Sequence, residues 1–154
     1  GMAPLKDRLN WASDQAKSRK IFVTNIEASF GTLYTIDTIT ALKKHLPQVR
    51  FAWIIGADNL IQISRWERWT EIFKSVPVAV FSRPDYSSKA LTSTAAKRFA
   101  KRRINQTQAA DFIERDPPAW MFLSIPMSNI SATKIRDGFN KNYKSVDFKK
   151  GEQR

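Results

Sequence analysis

The run Phe51-Ala52-Trp53-Ile54-Ile55 limits most what this chain can become. Five consecutive apolar residues, two of them isoleucine and two aromatic, read as a strand covered on both faces, as in a parallel sheet. Gly56 ends the run, and Asp58 and Asn59 follow as candidate helix caps. A glycine turn into a helix at the carboxyl end of a buried strand builds the crevice in which open α/β sheets bind ligands. The binding site is therefore expected first around Gly56-Ala57-Asp58-Asn59.

The remaining segments supply the alternation such a sheet requires. Leu5, Leu9, Ala12 and Ala16 recur at helical spacing after Pro4, and predict an amphipathic helix from Pro4 to about Lys17. Ile21 to Thr24 reads as a short strand. A helix opening at Leu33 to Thr38 carries Ile39 and Leu42 and stops before Pro47, with Thr35 as N-cap and Asp37 in its first turn. Trp66, Trp69 and Phe73 fall on one helical face, a spacing that by itself favours core over a ligand platform. Val76 to Phe81 and Ala119 to Leu123 are further apolar strands, and Arg83, just past the first of these, belongs at the same sheet edge as Asp58. Thr92 to Ile104 reads as a basic helix, and Gln108 to Arg115 as a helical turn or two.

At 154 residues the chain has the length of one domain, and 42% hydrophobic with 26% charged residues excludes a disordered reading. No apolar run approaches the roughly 20 residues of a membrane span and no signal pattern opens the chain, so a cytoplasmic location is expected. The absence of cysteine excludes disulfides, thiolate metal sites and a cysteine nucleophile. The single histidine, His45, follows Lys43-Lys44 in the last turn before Pro47, where cations suit the helix dipole; it reads as a solvated cap. A net charge of +12 favours polyanionic or phosphorylated partners. The basic run Lys97 to Arg103 would suit nucleic acid only with interleaved aromatics, and Phe99 alone is poor support.

A sharper signal is Ile130-Ser131-Ala132-Thr133-Lys134-Ile135-Arg136. Ser131 is a natural N-cap, yet Lys134 and Arg136 put cations at the positive end of the helix, which costs about 0.3–1 kcal/mol each when exposed. A bound phosphate removes the conflict by accepting amides and hydroxyls and pairing with the cations. Together with the Asp58 turn, this implies a nucleotide-binding α/β domain over residues 1–140, followed by a basic polar tail over residues 141–154.

Three motifs then coincide in order: Tyr34-Thr35-Ile36-Asp37-Thr38, Ile55-Gly56-Ala57-Asp58-Asn59-Leu60 with Arg65-Trp66 and Trp69, and Ile130 to Arg136. With Arg83-Pro84 they resemble bacterial nicotinate-nucleotide adenylyltransferase, of the nucleotidyltransferase superfamily, from about Pro4 to Phe139. The resemblance implies a Rossmann-like doubly wound parallel sheet. It implies transfer of the AMP part of ATP to nicotinate mononucleotide in NAD synthesis, with Mg2+ accompanying the ATP. In substrate binding, Trp66 would stack on the nicotinate ring and the amides of Ile36 and Glu67 would hold its carboxylate. Thr35 and Asp58 would contact the mononucleotide or its ribose, and Arg83 a phosphate. Ser131, Thr133 and Arg136 would bind the ATP phosphates.

Two departures from that pattern stand out. Ile63-Ser64 replace the aromatic and histidine that commonly precede the Arg-Trp pair. The amino-terminal phosphate loop with its His-x-Gly-His is absent, so the fold is expected to miss its first βα unit and the chain alone to be inactive. An open apolar strand edge would then favour a homo-oligomer. The alternatives are a nucleotide-binding module that does not catalyse and, least favoured, a basic nucleic-acid-binding domain.

Overall fold

A computed structural model describes residues 3–124. Its frame is a sheet of four parallel strands: β1 (Trp53–Gly56), β2 (Val78–Phe81), β3 (Arg103–Ile104) and β4 (Trp120–Leu123), in the order β1-β2-β4-β3. Parallel neighbours need crossovers, and helices supply them. Between β1 and β2 run α4 (Ala57–Gln62) and α5 (Trp69–Ser75); between β2 and β3 run α6 (Ser87–Leu91) and α7 (Thr94–Arg98). Before the sheet come α1 (Leu5–Gln15), α2 (Ile26–Phe30) and α3 (Thr35–His45).

Side chains alternate across each strand, so the two faces build separate cores. Val78, Val80, Trp120 and Phe122 face one way and join Ile55, Leu60, Ile63, Ile72, Phe73 and Phe99 in the larger cluster. Ala79 and Met121 face the other way, against Phe112 and Ala119. Phe73 and Phe99 stack at 4.5 Å, and Trp69 meets both rings edge-on. The indole N–H of the buried Trp120 donates to the Phe99 carbonyl at 2.8 Å, which meets the polar requirement of the largest buried side chain.

Several sequence expectations change. Ile21 to Thr24 is not a strand: Phe22 is 81% exposed, and the segment finds no ladder partner among the described residues. β1 is shorter than the apolar run and, among the described residues, is not covered on both faces. Only β2 of the described strands pairs with it, and Ile54 is 65% exposed on the face opposite the larger core. The stretch 92–104 is not one helix. Ser93 caps α7 by accepting from the Ala96 amide, the helix ends at Phe99, and Arg103–Ile104 pairs with β4 as a strand. Trp66 lies outside α5 in extended backbone, so it does not share a helical face with Trp69 and Phe73. α1 forms as expected, although none of its residues is fully buried.

Candidate functional site

Register explains how the site is assembled. Gly56 of β1 stands opposite Phe81 of β2, and Phe81 opposite Leu123 of β4, so three strands end level at one edge. Asp58 and Arg83 each lie two residues beyond that line, which brings them together as the sequence suggested. Arg83 Nη1 donates to Asp58 Oδ2 at 3.4 Å, and Arg83 Nε stands 3.3 Å from Oδ1. That second contact is an ion pair without hydrogen-bond geometry, so Oδ1 is buried and accepts no hydrogen bond among the described residues. A buried carboxylate oxygen that accepts nothing is costly unless a donor reaches it from elsewhere.

Gly56 is required by this arrangement. A Cβ there would come within 2.5 Å of Asp58 Oδ1 and 2.6 Å of Arg83 Nε, closer than side-chain atoms pack. Asp58 is the second residue of α4, not its cap; the N-cap is Gly56 in extended backbone. α4 and the 3-10 turn Ile63–Arg65 then carry the chain to Trp66, with Leu60 and Ile63 fully buried beneath. Ile63 thus serves the core, whereas Ser64 is half-buried.

Trp66 is half-buried and leans edge-on against Trp53 of β1, ring centroids 5.7 Å apart. Its indole packs on β1 while the residue keeps part of its surface exposed. Tyr34 is the N-cap of α3 and Thr35 its first residue, so the helix begins one position earlier than a Thr35 N-cap would give. The Asp37 and Thr38 amides bond back to the Tyr34 carbonyl, whereas those of Thr35 and Ile36 precede any intrahelical acceptor. Thr38 is held by the Thr32 hydroxyl at 2.7 Å.

The link between α3 and the Trp66 segment is one that the sequence reading missed. Arg68 forms an ion pair and hydrogen bond with Asp37, and a longer contact of 3.6 Å with Glu71. The hydrogen bond to Asp37, followed by the nearby carboxylates, raises the Arg68 pKa above its ordinary value. Arg68 also adopts left-handed backbone, φ 44° and ψ 36°. Asp37 in a helix first turn was legible as a dipole partner; its pairing across 31 positions was not.

Ser131, Thr133 and Arg136 lie outside the described residues. His45 bonds through Nδ1 to the Ala41 carbonyl at 2.8 Å and stacks on Phe30, consistent with a helix-end role. The basic run does not make one helical stripe: Arg103 lies over the Trp120 ring at 5.4 Å, while Lys101 and Arg102 sit on a 3-10 turn. A polar cavity of about 750 Å³ opens beside α6, lined by Ser87, Ser88, Arg103, Gln106, Phe122 and Ser124 among others. Among the described residues, no helix is long and apolar enough to cross a membrane. Nor does any group of three or more His, Asp or Glu side chains there fit a protein-held metal ion.

Residues 2–138 match the family model described as cytidylyltransferase-like. A probable nicotinate-nucleotide adenylyltransferase of Cereibacter sphaeroides is 45% identical over 134 residues, covering 87% of this chain and 71% of that protein. Its counterpart in Parvibaculum lavamentivorans is 44% identical over 137 residues, covering 89% and 68%. The solved Plasmodium falciparum nicotinic acid mononucleotide adenylyltransferase complexed with APC superposes with a TM-score of 0.57 at 17% identity, covering 88% of this chain and 62% of that one, and so shares the fold. Sequence, parallel sheet and relatives together show that the chain belongs to the cytidylyltransferase-like nucleotidyltransferases, and among them to the nicotinate-nucleotide adenylyltransferase family of NAD biosynthesis.

Proposed function

We propose that this chain carries the mononucleotide side of an adenylyltransferase site that joins nicotinate mononucleotide to the AMP part of ATP in the cytoplasm. The observation that carries this reading is the Gly56–Asp58–Arg83 cradle at the strand ends, with its buried Asp58 Oδ1 awaiting a donor. A ribose hydroxyl supplies such a donor. Arg83, 53% exposed at its side chain, is free to meet a phosphate while still beside Asp58. Trp66 stacks on the pyridine ring, the amides of Ile36 and Glu67 take its carboxylate, and Thr35 contacts the mononucleotide.

In the reaction, a phosphate oxygen of the mononucleotide attacks the α-phosphorus of ATP in line. The new P–O bond forms as the bond to the β-phosphate breaks, and pyrophosphate leaves with that electron pair. Positioning and electrostatic stabilisation carry such a transfer, with no covalent group on the protein. Ser131, Thr133 and Arg136 are the residues we assign to the ATP phosphates. Ser131, Thr133 and Arg136 would hold the ATP that a magnesium ion accompanies, and that ion would supply positive charge against the phosphates.

The 154-residue polypeptide contains one histidine and no His-x-Gly-His. We therefore propose that this polypeptide by itself binds the mononucleotide with little or no turnover. The edge of β1 away from β2, unpaired among the described residues, is the surface through which two copies would associate. Titration with nicotinate mononucleotide, with pyrophosphate release measured in parallel, tests the reading: saturable binding without turnover is expected, and normal turnover or no binding contradicts it.

A further inference from the structure

We propose that the Arg68–Asp37 ion pair positions the amides of Ile36 and Glu67, and thereby sets the preference of the site for a pyridine carboxylate over the carboxamide. The inference rests on the reading of the mononucleotide site given above.

Connectivity is the first argument. Asp37 directly follows Ile36 in the first turn of α3, and Arg68 directly follows Glu67 at the entry to α5. One side-chain pair therefore ties together the two backbone segments, 31 positions apart, that would offer N–H groups to the same carboxylate. The Ile36 amide precedes any acceptor of its own helix, and the Glu67 amide makes no backbone hydrogen bond among the described residues.

Strain is the second argument. Arg68 holds left-handed backbone, which a non-glycine residue adopts only when its surroundings impose it. Its side chain does not cap α5 but reaches Asp37 and Glu71. The third argument is exposure. The Arg68 and Asp37 side chains are 42% and 40% exposed, and an ion pair so open to water adds little to folding. Holding geometry gives the strained turn and the pair a reason that stability does not.

The chemistry follows from donor and acceptor counts. Two converging N–H groups both find acceptors on a carboxylate, whereas a carboxamide presents its own NH2 to one of them. That discrimination needs both amides in place, so releasing either segment weakens the acid selectively.

Asp37→Ala separates positioning from simple charge attraction, because it removes both the ion pair and its hydrogen bond yet leaves Arg68 cationic. Attraction alone would keep or tighten acid binding; positioning requires it to weaken. In calorimetric or fluorescence titrations of the 154-residue chain, Asp37→Ala and Arg68→Ala should each weaken nicotinate mononucleotide by about tenfold, leave the weaker nicotinamide mononucleotide within about twofold, and combine without adding. Asp37→Glu, which keeps the pair, should restore most of the preference. Arg68→Gly, suited to left-handed backbone, replaces Arg68→Ala if circular dichroism shows that variant unfolded. Acid binding unchanged or tighter in Asp37→Ala, equal losses for both ligands, or multiplying effects would overturn the proposal while a selective wild type leaves the site reading standing. A wild type that binds neither mononucleotide overturns that reading, and this proposal with it.

Discussion

At the scale of single residues, the site depends on one missing methyl group. The Cβ of a Gly56→Ala variant would collide with the ends of the Asp58 and Arg83 side chains, not with backbone. Both side chains can turn away, so the fold should survive with a stability change of about 1 kcal/mol or less, while mononucleotide binding falls about tenfold. Urea denaturation and ligand titration of the same sample check the two halves of that statement. Asp58→Asn should behave similarly, because its ion pair with the half-exposed Arg83 is screened by water and contributes at most about 1 kcal/mol. The buried Oδ1 gives that substitution its larger effect on ligand than on folding. Gly56, Asp58 and Arg83 were legible in the sequence because each follows an apolar strand at a short, fixed distance. Arg68 was not, because neither a left-handed backbone nor a partner 31 residues away leaves a local pattern.

At the scale of elements, the support of the site is aromatic. Phe73 is fully buried, stacked on Phe99 and met edge-on by Trp69, so Phe73→Ala should cost about 3–5 kcal/mol. A urea midpoint lowered by that free energy divided by the slope, with the slope itself unchanged, is the expected result. β2 and β4 were legible because central strands of a parallel sheet are apolar throughout, and Val78, Val80, Trp120 and Met121 are all buried. Ile21 to Thr24 has the composition of a strand, but a strand exists only beside another, and none of the described strands adjoins it. The break in the basic helix was hidden for a related reason. Its carbonyl at Phe99 is taken by Trp120, and its last residues by pairing with β4, both choices made by distant sequence.

At the scale of the whole molecule, the described residues form a sheet covered well on one face and sparsely at the β1 end of the other. Ile54 is 65% exposed there, and β1 has one neighbour. Self-association through that edge should appear as a concentration-dependent rise in sedimentation coefficient, and Ile54→Lys, which charges the edge strand, should reduce it. A monomer at all concentrations would contradict the association proposed above. Ligand preference is read by calorimetric titration of the 154-residue chain and its Trp66→Ala variant with nicotinate mononucleotide and, separately, nicotinamide mononucleotide. Saturable binding of the acid form, weaker binding of the amide, and loss of acid affinity by about tenfold or more when the indole is removed are expected. Equal binding of the two mononucleotides, or binding indifferent to Trp66, would contradict the proposed mononucleotide site.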